Sequence, residues 1–235
     1  MTTEPVTGGM AGWKTALAAG LLGALIGGGA VAWGSRQSVR DYLLENPEIL
    51  PEAMDRLRER EAAKAVAGNR EALETPFAGA WAGAADADVV LVEFFDYACG
   101  FCRKSNDDID RLLREDPKLK VVWREWPVLG PDSEAAARAS LAAARAGRFK
   151  QFYDRLFAAG RPTPEALARA RSAIGLSGDI PIAEADRELS RNFQLARNLE
   201  ATGTPTFVVG DQILQGAVGY EALREAVREA RERKS

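Results

Sequence analysis

The chain has 235 residues, 46% of them hydrophobic and 28% charged, with two cysteines and no histidine. Its length and composition predict a globular protein of one or two domains and exclude a disordered, fibrous or disulfide-rich chain. A formal net charge of -3 gives no electrostatic reason to expect a nucleic-acid partner. Without histidine the chain forms neither a Ser-His-Asp triad nor a Cys-His pair, and two cysteines are too few for a tetrahedral structural zinc site, so no metal site is expected.

An apolar run near the N-terminus predicts a membrane-targeting segment at residues 1–36. Residues 15–35 carry no charge, and Ala16 to Trp33 is long enough to span a bilayer as a helix. Ala30-Val31-Ala32 also fits the cleavage pattern of a signal peptide. We therefore expect either a retained transmembrane helix or a cleaved signal, and a buried helix of a soluble protein is the alternative.

A helical arm is predicted at residues 37–74. Asn46-Pro47-Glu48 is typical of a helix start, and Gly68-Asn69 is typical of a helix end. Because the arm has too few apolar residues for a core of its own, it is either a solvated spacer or a surface that pairs with copies of itself through residues 38–67. The apolar residues that recur at helical spacing are Ile49, Leu50, Met54 and Leu57.

The main domain is expected at residues 75–235, and its first clear element is a buried strand at Val89 to Phe95. A strand buried on both faces implies a parallel or mixed central sheet. Cys99-Gly100-Phe101-Cys102 follows, and Arg103 to Glu115 is predicted to be a helix, so Cys99 lies at a helix N-terminus. Free N–H groups and the helix dipole favour a thiolate there. We predict that Cys99 is the attacking thiolate and that Cys102, one turn further on, resolves the mixed disulfide.

One acidic residue, Glu93, lies in the middle of the apolar strand. A buried acid is costly unless it has a task, and its pKa rises with desolvation. We predict a proton acceptor or relay near Cys102. The alternative is a side chain that reaches solvent at the edge of the sheet.

About a hundred residues after the cysteines, Thr204-Pro205 leads into a strand that is predicted to open at Pro205 and to end at Val209. A proline in this position is either cis, presenting its backbone to an extended substrate beside the cysteines, or an ordinary trans proline that opens an edge strand. Gly210-Asp211 predicts a hairpin to a returning strand at Gln212 to Gln215, and a last amphipathic helix is expected after Gly219.

The region between the two parts of the site, at about residues 132–200, is rich in alanine and predicted to be helical. Its first helix is expected to begin at Pro131-Asp132-Ser133, with Asp132 or Ser133 as the cap, and a further helix to begin at Thr163-Pro164. An aromatic stripe at helical spacing favours core packing over a substrate groove. The residues of this stripe are Phe149, Phe152, Tyr153, Leu156 and Phe157.

These motifs together resemble the thioredoxin superfamily, and specifically the DsbA-like thiol-disulfide oxidoreductases. The resemblance covers about Val89 to Arg231 and rests on Glu93-Phe94-Phe95, Cys99-Gly100-Phe101-Cys102, Trp123 to Pro131 and Thr204-Pro205-Thr206. It implies an α/β thioredoxin-like fold with a central mixed β-sheet and a helical insertion. It also implies catalytic roles for Cys99, Cys102 and Glu93, and substrate contacts for Gly100, Phe101, Thr204 and Pro205.

The arm and the active-site dipeptide refine this resemblance. Asp41 to Leu50 resembles the N-terminal segment of the ScsC and Com1-like subgroup, some members of which oligomerise through it. DsbA oxidases typically carry Cys-Pro-His-Cys, whereas Gly100-Phe101 is closer to the Cys-Gly-Tyr-Cys of isomerase-type proteins. Because the histidine that stabilises a thiolate is missing, a less oxidising couple is expected. Oxidation, isomerisation and reduction therefore all stay open.

The resulting expectation is an extracytoplasmic enzyme that acts on protein thiols or disulfides and exchanges electrons with a membrane redox partner. Its redox group is the cysteine pair, without a further cofactor. The domain is expected on the periplasmic side of the inner membrane, held by the N-terminal helix, or free in the periplasm after cleavage. Two other functions compete with this one. Two thiolates can ligate Cu(I), which would make a copper-binding protein, and a peptide-binding chaperone would leave the cysteines incidental.

Overall fold

The computed structural model describes residues 39–233. The predicted anchor or signal at residues 1–36 lies outside these residues. Within the described part, no helix has both the length and the hydropathy that a membrane crossing requires. The described chain divides into two units between Leu57 and Arg58.

Most of the described chain is helical, and its strands are short. The strands predicted at Val89–Phe95 and Gln212–Gln215 have the expected bounds, and the strand predicted to open at Pro205 begins one residue later, at Thr206. The elements in chain order are α1 (39–45), α2 (Ile49–Glu74), β1 (Trp81–Gly83), β2 (Val89–Phe95), α3 (Gly100–Glu115), β3 (Leu119–Glu125), α4 (Pro131–Arg145), α5 (Phe149–Ala158), α6 (Pro164–Ala173), α7 (Ile182–Asn198), β4 (Thr206–Val209), β5 (Gln212–Gln215) and α8 (Tyr220–Glu232).

The strands form one five-stranded sheet in the order β1-β3-β2-β4-β5. Strand β2 is central and runs parallel to β3 and antiparallel to β4, so the predicted mixed sheet is confirmed. In this register Glu93 lies opposite Trp123 on β3 and Phe207 on β4. The predicted acid is therefore inside the sheet, and the alternative of a solvent-exposed edge position is wrong.

Both faces of β2 are covered, as its continuous apolar sequence predicts. Leu91 and Phe95 pack into the larger core cluster, with α3, α5 and α8. Val92 and Phe94 point to the other face, into a second cluster with α2 and α7. Since side chains alternate along a strand, Glu93 shares the face of Leu91 and Phe95, which is also the face of both cysteines.

Helix α2 continues to Glu74, so the helix end predicted at Gly68-Asn69 is wrong. Val66 and Leu73 on either side of this point are buried against the sheet. A glycine inside a helix costs only about 1 kcal/mol. Burying two large apolar side chains outweighs that cost, since each is worth about 1.5–3 kcal/mol. The last part of the predicted arm thus packs into the second core cluster.

The helical insertion between β3 and β4 consists of α4 to α7. Helix α4 begins at Pro131 with Gly130 as its N-cap, so the predicted capping by Asp132 or Ser133 is wrong. The backbone of Gly130 has a φ of 113°, which favours glycine, and Pro131 fixes the first helical residue. Helix α6 begins at Pro164 as predicted, and Thr163 is its N-cap, accepting a hydrogen bond from the Ala166 N–H at 3.2 Å. The predicted aromatic stripe of α5 is confirmed as core.

Candidate active site

The two cysteines lie where β2 passes into α3. Cys99 is the N-cap of α3, and its Sγ accepts a hydrogen bond from the Cys102 N–H at 3.4 Å. Both cysteines are free thiols. Cys102 is fully buried, whereas 6% of Cys99 is exposed. Cys99 is therefore the outer of the two sulfurs.

Local hydrogen bonding separates the pKa values of the two thiols. A hydrogen bond from the Cys102 thiol is the largest influence on Cys99, and together with the N–H groups of Cys102 and Phe101 it lowers the pKa of Cys99 to about 5. Burial raises the pKa of Cys102 far above its usual value, and this same hydrogen bond raises it further. At neutral pH the site therefore holds a Cys99 thiolate beside a Cys102 thiol.

The loop before β4 closes the site from the other side. The thiol form of Cys99 donates a hydrogen bond to the carbonyl oxygen of Thr204 at 3.2 Å. The Thr204–Pro205 peptide bond is cis. Thr206 fixes the loop by donating from its hydroxyl to the Gly203 carbonyl at 2.7 Å. The two parts of the site predicted from distant sequence segments are thus brought together.

Glu93 is fully buried on the cysteine-bearing face of the sheet. The Tyr153 hydroxyl lies 3.1 Å from Glu93 Oε2. Desolvation outweighs this hydrogen bond and raises the pKa of Glu93 to about 8. The negative charge of Cys99 acts in the same direction. A carboxyl group with such a pKa can hold or release a proton near neutral pH.

The dipeptide between the cysteines faces outward. The Phe101 side chain is 66% exposed, and there is open space where a side chain of Gly100 would be. Val128 and Leu129, in the loop after β3, are also exposed apolar residues. The two predicted contact residues of the dipeptide therefore lie at the surface rather than in the buried part of the site.

Asp96 is a further residue of the site, directly after β2 and three residues before Cys99. Its buried carboxylate accepts hydrogen bonds from Ala98 N–H at 2.8 Å, Val128 N–H at 2.8 Å and Leu129 N–H at 3.0 Å. These bonds tie the segment before Cys99 to the loop after β3. An aspartate two residues before a turn N–H is the local signal that could have found its first bond, but nothing local predicts the other two.

Two more residues escaped sequence analysis because only the fold brings them to Glu93. The helical spacing of α5 predicts Tyr153 as a core residue, and no local pattern marks Asn106 on α3. The Tyr153 hydroxyl lies 2.7 Å from Asn106 Oδ1 as well as contacting Glu93.

Across residues 39–233, no group of three or more Cys, Asp and Glu side chains is arranged to hold a metal ion.

Two segments of the chain match known protein families. Residues 90–228 match the family of DSBA-like thioredoxin domains, and residues 36–64 match the N-terminal domain of the copper resistance protein ScsC. The chain matches the Na(+)/H(+) antiporter NhaA 3 of Salinispora tropica with 31% identity over 156 residues. This match covers 63% of the chain and 24% of that protein. The chain thus spans about a quarter of the length of the curated relatives it matches.

Solved structures give a fuller overlap. A linker-deletion mutant of Proteus mirabilis ScsC is 31% identical with a TM-score of 0.72, covering 84% of this chain and 93% of that one. A thioredoxin-like oxidoreductase from Silicibacter pomeroyi is 34% identical with a TM-score of 0.62, covering 70% and 98%. The thiol-disulfide exchange protein alpha-DsbA2 from Wolbachia pipientis, at 24% identity and a TM-score of 0.65 over 74% and 97%, shares the fold. The chain therefore belongs to the family of DsbA-like thioredoxin domains.

Proposed function

We propose that this chain exchanges disulfides with protein substrates through Cys99-Gly100-Phe101-Cys102. The observation that carries the proposal is the position of the Cys99 sulfur, which caps α3 and lies 3.2 Å from the Thr204 carbonyl oxygen. An extended substrate segment that pairs with the backbone at Thr204 would bring its own sulfur beside Cys99. The cysteine pair is itself the redox group in this proposal, without a further cofactor.

In the oxidising direction, a substrate thiolate attacks Cys99 Sγ of the Cys99–Cys102 disulfide. A bond forms between the substrate sulfur and Cys99, and Cys102 leaves as a thiolate that takes a proton from Glu93. A second substrate thiolate then attacks the substrate sulfur of the mixed disulfide. The substrate disulfide forms, Cys99 leaves as a thiolate, and two electrons have passed to the cysteine pair. Reduction and isomerisation use the same steps in reverse or in alternation.

The test makes two measurements in parallel: the reduction potential of the Cys99–Cys102 couple, and the ability of the chain to rescue a substrate that has scrambled disulfides. A potential near the strongly oxidising end, about -120 mV, without rescue indicates an oxidase. A lower potential with rescue indicates an isomerase. The missing histidine beside Cys99 favours the lower potential.

Cysteine variants separate this function from the competing ones. Cys102→Ser should trap a mixed disulfide with substrate on Cys99, because no resolving thiol remains. Cys99→Ser should abolish exchange and keep the fold. If Cys99→Ser instead retains full cellular function, the redox proposal fails and a peptide-binding chaperone is indicated.

We also propose that the domain works on the periplasmic side of the inner membrane, or free in the periplasm after cleavage, and receives or delivers electrons through a membrane partner. The support is the apolar run Ala16 to Trp33 in the sequence. A C-terminal alkaline phosphatase fusion should be active in a bacterial host, because that reporter folds only outside the cytoplasm. N-terminal sequencing of the mature chain should distinguish retention from cleavage, and an inactive fusion would contradict this location.

A further proposal concerns the arm, which we expect to pair with copies of itself through residues 38–67. The apolar side chains Leu50, Met54 and Leu57 lie along one side of α2 and are exposed. The match of residues 36–64 to the ScsC N-terminal domain adds support. Exposed apolar residues in a continuous stripe favour a protein interface over a solvated spacer.

A further inference from the structure

The hydroxyl of Tyr153 has more hydrogen-bond acceptors around it than it has protons. It lies 2.7 Å from Asn106 Oδ1 and 3.1 Å from Glu93 Oε2. A phenol has one proton to donate, and an amide oxygen can only accept. When Tyr153 donates to Asn106, which is the shorter contact, Glu93 can complete the second contact only as a protonated donor. Ionising Glu93 requires Tyr153 to turn its proton away from Asn106.

Within residues 39–233, the contact with Tyr153 is the one hydrogen bond of the Glu93 side chain that has full geometry. Its other oxygen, Oε1, has no partner at full hydrogen-bond geometry within residues 39–233. The Trp123 indole N–H is close enough to act on the carboxyl group, and like Tyr153 it lowers the pKa of Glu93. The carboxyl group is fully buried, so solvent does not replace a missing donor. Tyr153 is itself fully buried, and burial raises the pKa of its hydroxyl well above the usual value. Tyr153 therefore stays a neutral phenol whose proton is directed by its neighbours.

We propose that Asn106 is a positioning residue that acts through Tyr153 to keep the proton on Glu93. Asn106 lies on α3 four residues after Cys102, and its side chain is half-buried. By accepting the Tyr153 proton it makes the protonated carboxyl group the form that is fully hydrogen-bonded. This is the form that supplies a proton when Cys102 leaves as a thiolate. The proposal rests on the proposed function for its use in catalysis, but its geometry does not.

Other charged and titratable groups surround the pair and must be held constant in any test. Cys99 and Cys102 face Glu93 from α3, and the Tyr97 ring lies 6.0 Å from the Tyr153 ring. On the outer side, Lys150 Nζ lies 5.8 Å from the Tyr153 ring centroid. Lys150 pairs there with Asp110 and Asp154 at 3.0 and 2.5 Å. Substitutions at Asn106 and Tyr153 leave all these groups in place.

The experiment measures the pKa of the Glu93 carboxyl group in the reduced full chain, by NMR of carboxyl-labelled glutamate assigned with Glu93→Gln. In Asn106→Leu, Tyr153 is free to donate to the carboxylate, so the pKa of Glu93 should fall by about one pH unit. Burial by the larger apolar side chain alone would raise it. In Asn106→Asp the new carboxylate only accepts, so the pKa of Glu93 should rise.

Tyr153→Phe supplies the control, since it keeps the ring packing and removes the hydroxyl. In that background Asn106→Leu should no longer lower the pKa of Glu93, and Asn106→Asp should act through its charge alone. The pH midpoint for opening of the Cys99–Cys102 disulfide by a small thiol should move in the same direction as the pKa of Glu93. A rise or no change in Asn106→Leu, or the same fall in the Tyr153→Phe background, would overturn the proposal. The titration needs no substrate, so a failure of disulfide exchange would remove the proposed function and leave this result standing.

Discussion

Cys99 and Cys102 are three residues apart in the sequence, but the pKa values of their thiols are shifted in opposite directions. Cys99 is reached by hydrogen bonds from Cys102 and from the first N–H groups of α3, which lower its pKa to about 5. Cys102 has no exposed surface, and burial raises its pKa. One sulfur is thus an anion at neutral pH while the other keeps its proton. This division allows attack and resolution to follow each other in a fixed order.

A first prediction concerns the reactivity of Cys99. Alkylation of the reduced chain by iodoacetamide should rise with pH through a midpoint near 5, because only the thiolate reacts. Cys102→Ala removes the largest hydrogen bond to Cys99 and should move the midpoint upward. Cys102→Ser keeps a donor at the same place and should move it less. A midpoint near the ordinary value of about 8.5 in the native chain would contradict this account.

A second prediction concerns the dependence of stability on the charge of Glu93. Its pKa is about 8 in the folded chain and about 4.3 in an unfolded one, so the folded state holds a proton that the unfolded state releases between these values. The free energy of unfolding should therefore fall as pH rises through this window. The Glu93→Gln chain does not lose stability in this way. Its free energy of unfolding, relative to that of the native chain, should therefore increase by about 3 kcal/mol between pH 4 and pH 7.

Urea unfolding of the reduced chains at several pH values measures this difference. The comparison isolates Glu93, because every other titrating group is common to both chains. If the two free energies run parallel from pH 4 to pH 8, the carboxyl group is not desolvated in the way described.

At the scale of elements, a buried arginine joins three of them. Arg124 on β3 donates to the Leu73 carbonyl at the end of α2, and to Glu188 Oε1 and Asn192 Oδ1 of α7 at 3.2 and 3.1 Å. Burial lowers the pKa of Arg124 to about 10, which leaves it charged at neutral pH. The guanidinium group thus caps one helix and anchors another.

A third prediction follows from this network. Arg124→Met should lower the free energy of unfolding by about 3–5 kcal/mol, because it leaves the Glu188 carboxylate buried without its partner. Arg124→Met combined with Glu188→Met should recover part of the loss. The control is Arg228→Met on α8, which breaks solvent-exposed ion pairs and should leave the free energy of unfolding almost unchanged. Equal losses at Arg124 and Arg228 would show that the buried network has no special weight.

At the scale of the whole molecule, the proposed self-association of the arm can be tested. A fourth prediction is that Met54→Glu, at the centre of the exposed stripe of α2, lowers the oligomeric state of the full chain in solution. A charge in an apolar interface is desolvated without a partner, which disfavours association. Arg56→Glu adds negative charge on the opposite side of the helix and should leave assembly unchanged. Light scattering after size-exclusion chromatography measures both, and a native chain that is already monomeric would contradict the proposed arm interface.

Local sequence patterns predicted the elements correctly where the structure depends on residues that are adjacent in the chain. The bounds of β2 followed from six apolar residues interrupted only by Glu93, and the hairpin after Val209 followed from Gly210-Asp211. Prediction failed at Gly68, where burial of Val66 and Leu73 keeps α2 intact through a residue that usually ends helices. It also failed at α4, where Gly130 and Pro131 replace the expected side-chain cap. In both places a local preference of about 1 kcal/mol yields to packing or backbone geometry.

The sequence by itself determined the chemistry of this protein: two cysteines one helical turn apart after a buried strand, an acid within that strand and a distant Thr204-Pro205. These choices depend on spacing of a few residues, which local structure translates directly into geometry. Only the tertiary structure decided what surrounds them. Tyr153 and Asn106 meet at Glu93 because α5 and α3 pack on the same face of the sheet. Contacts between residues tens of positions apart depend on the packing of whole elements, and no local pattern encodes them.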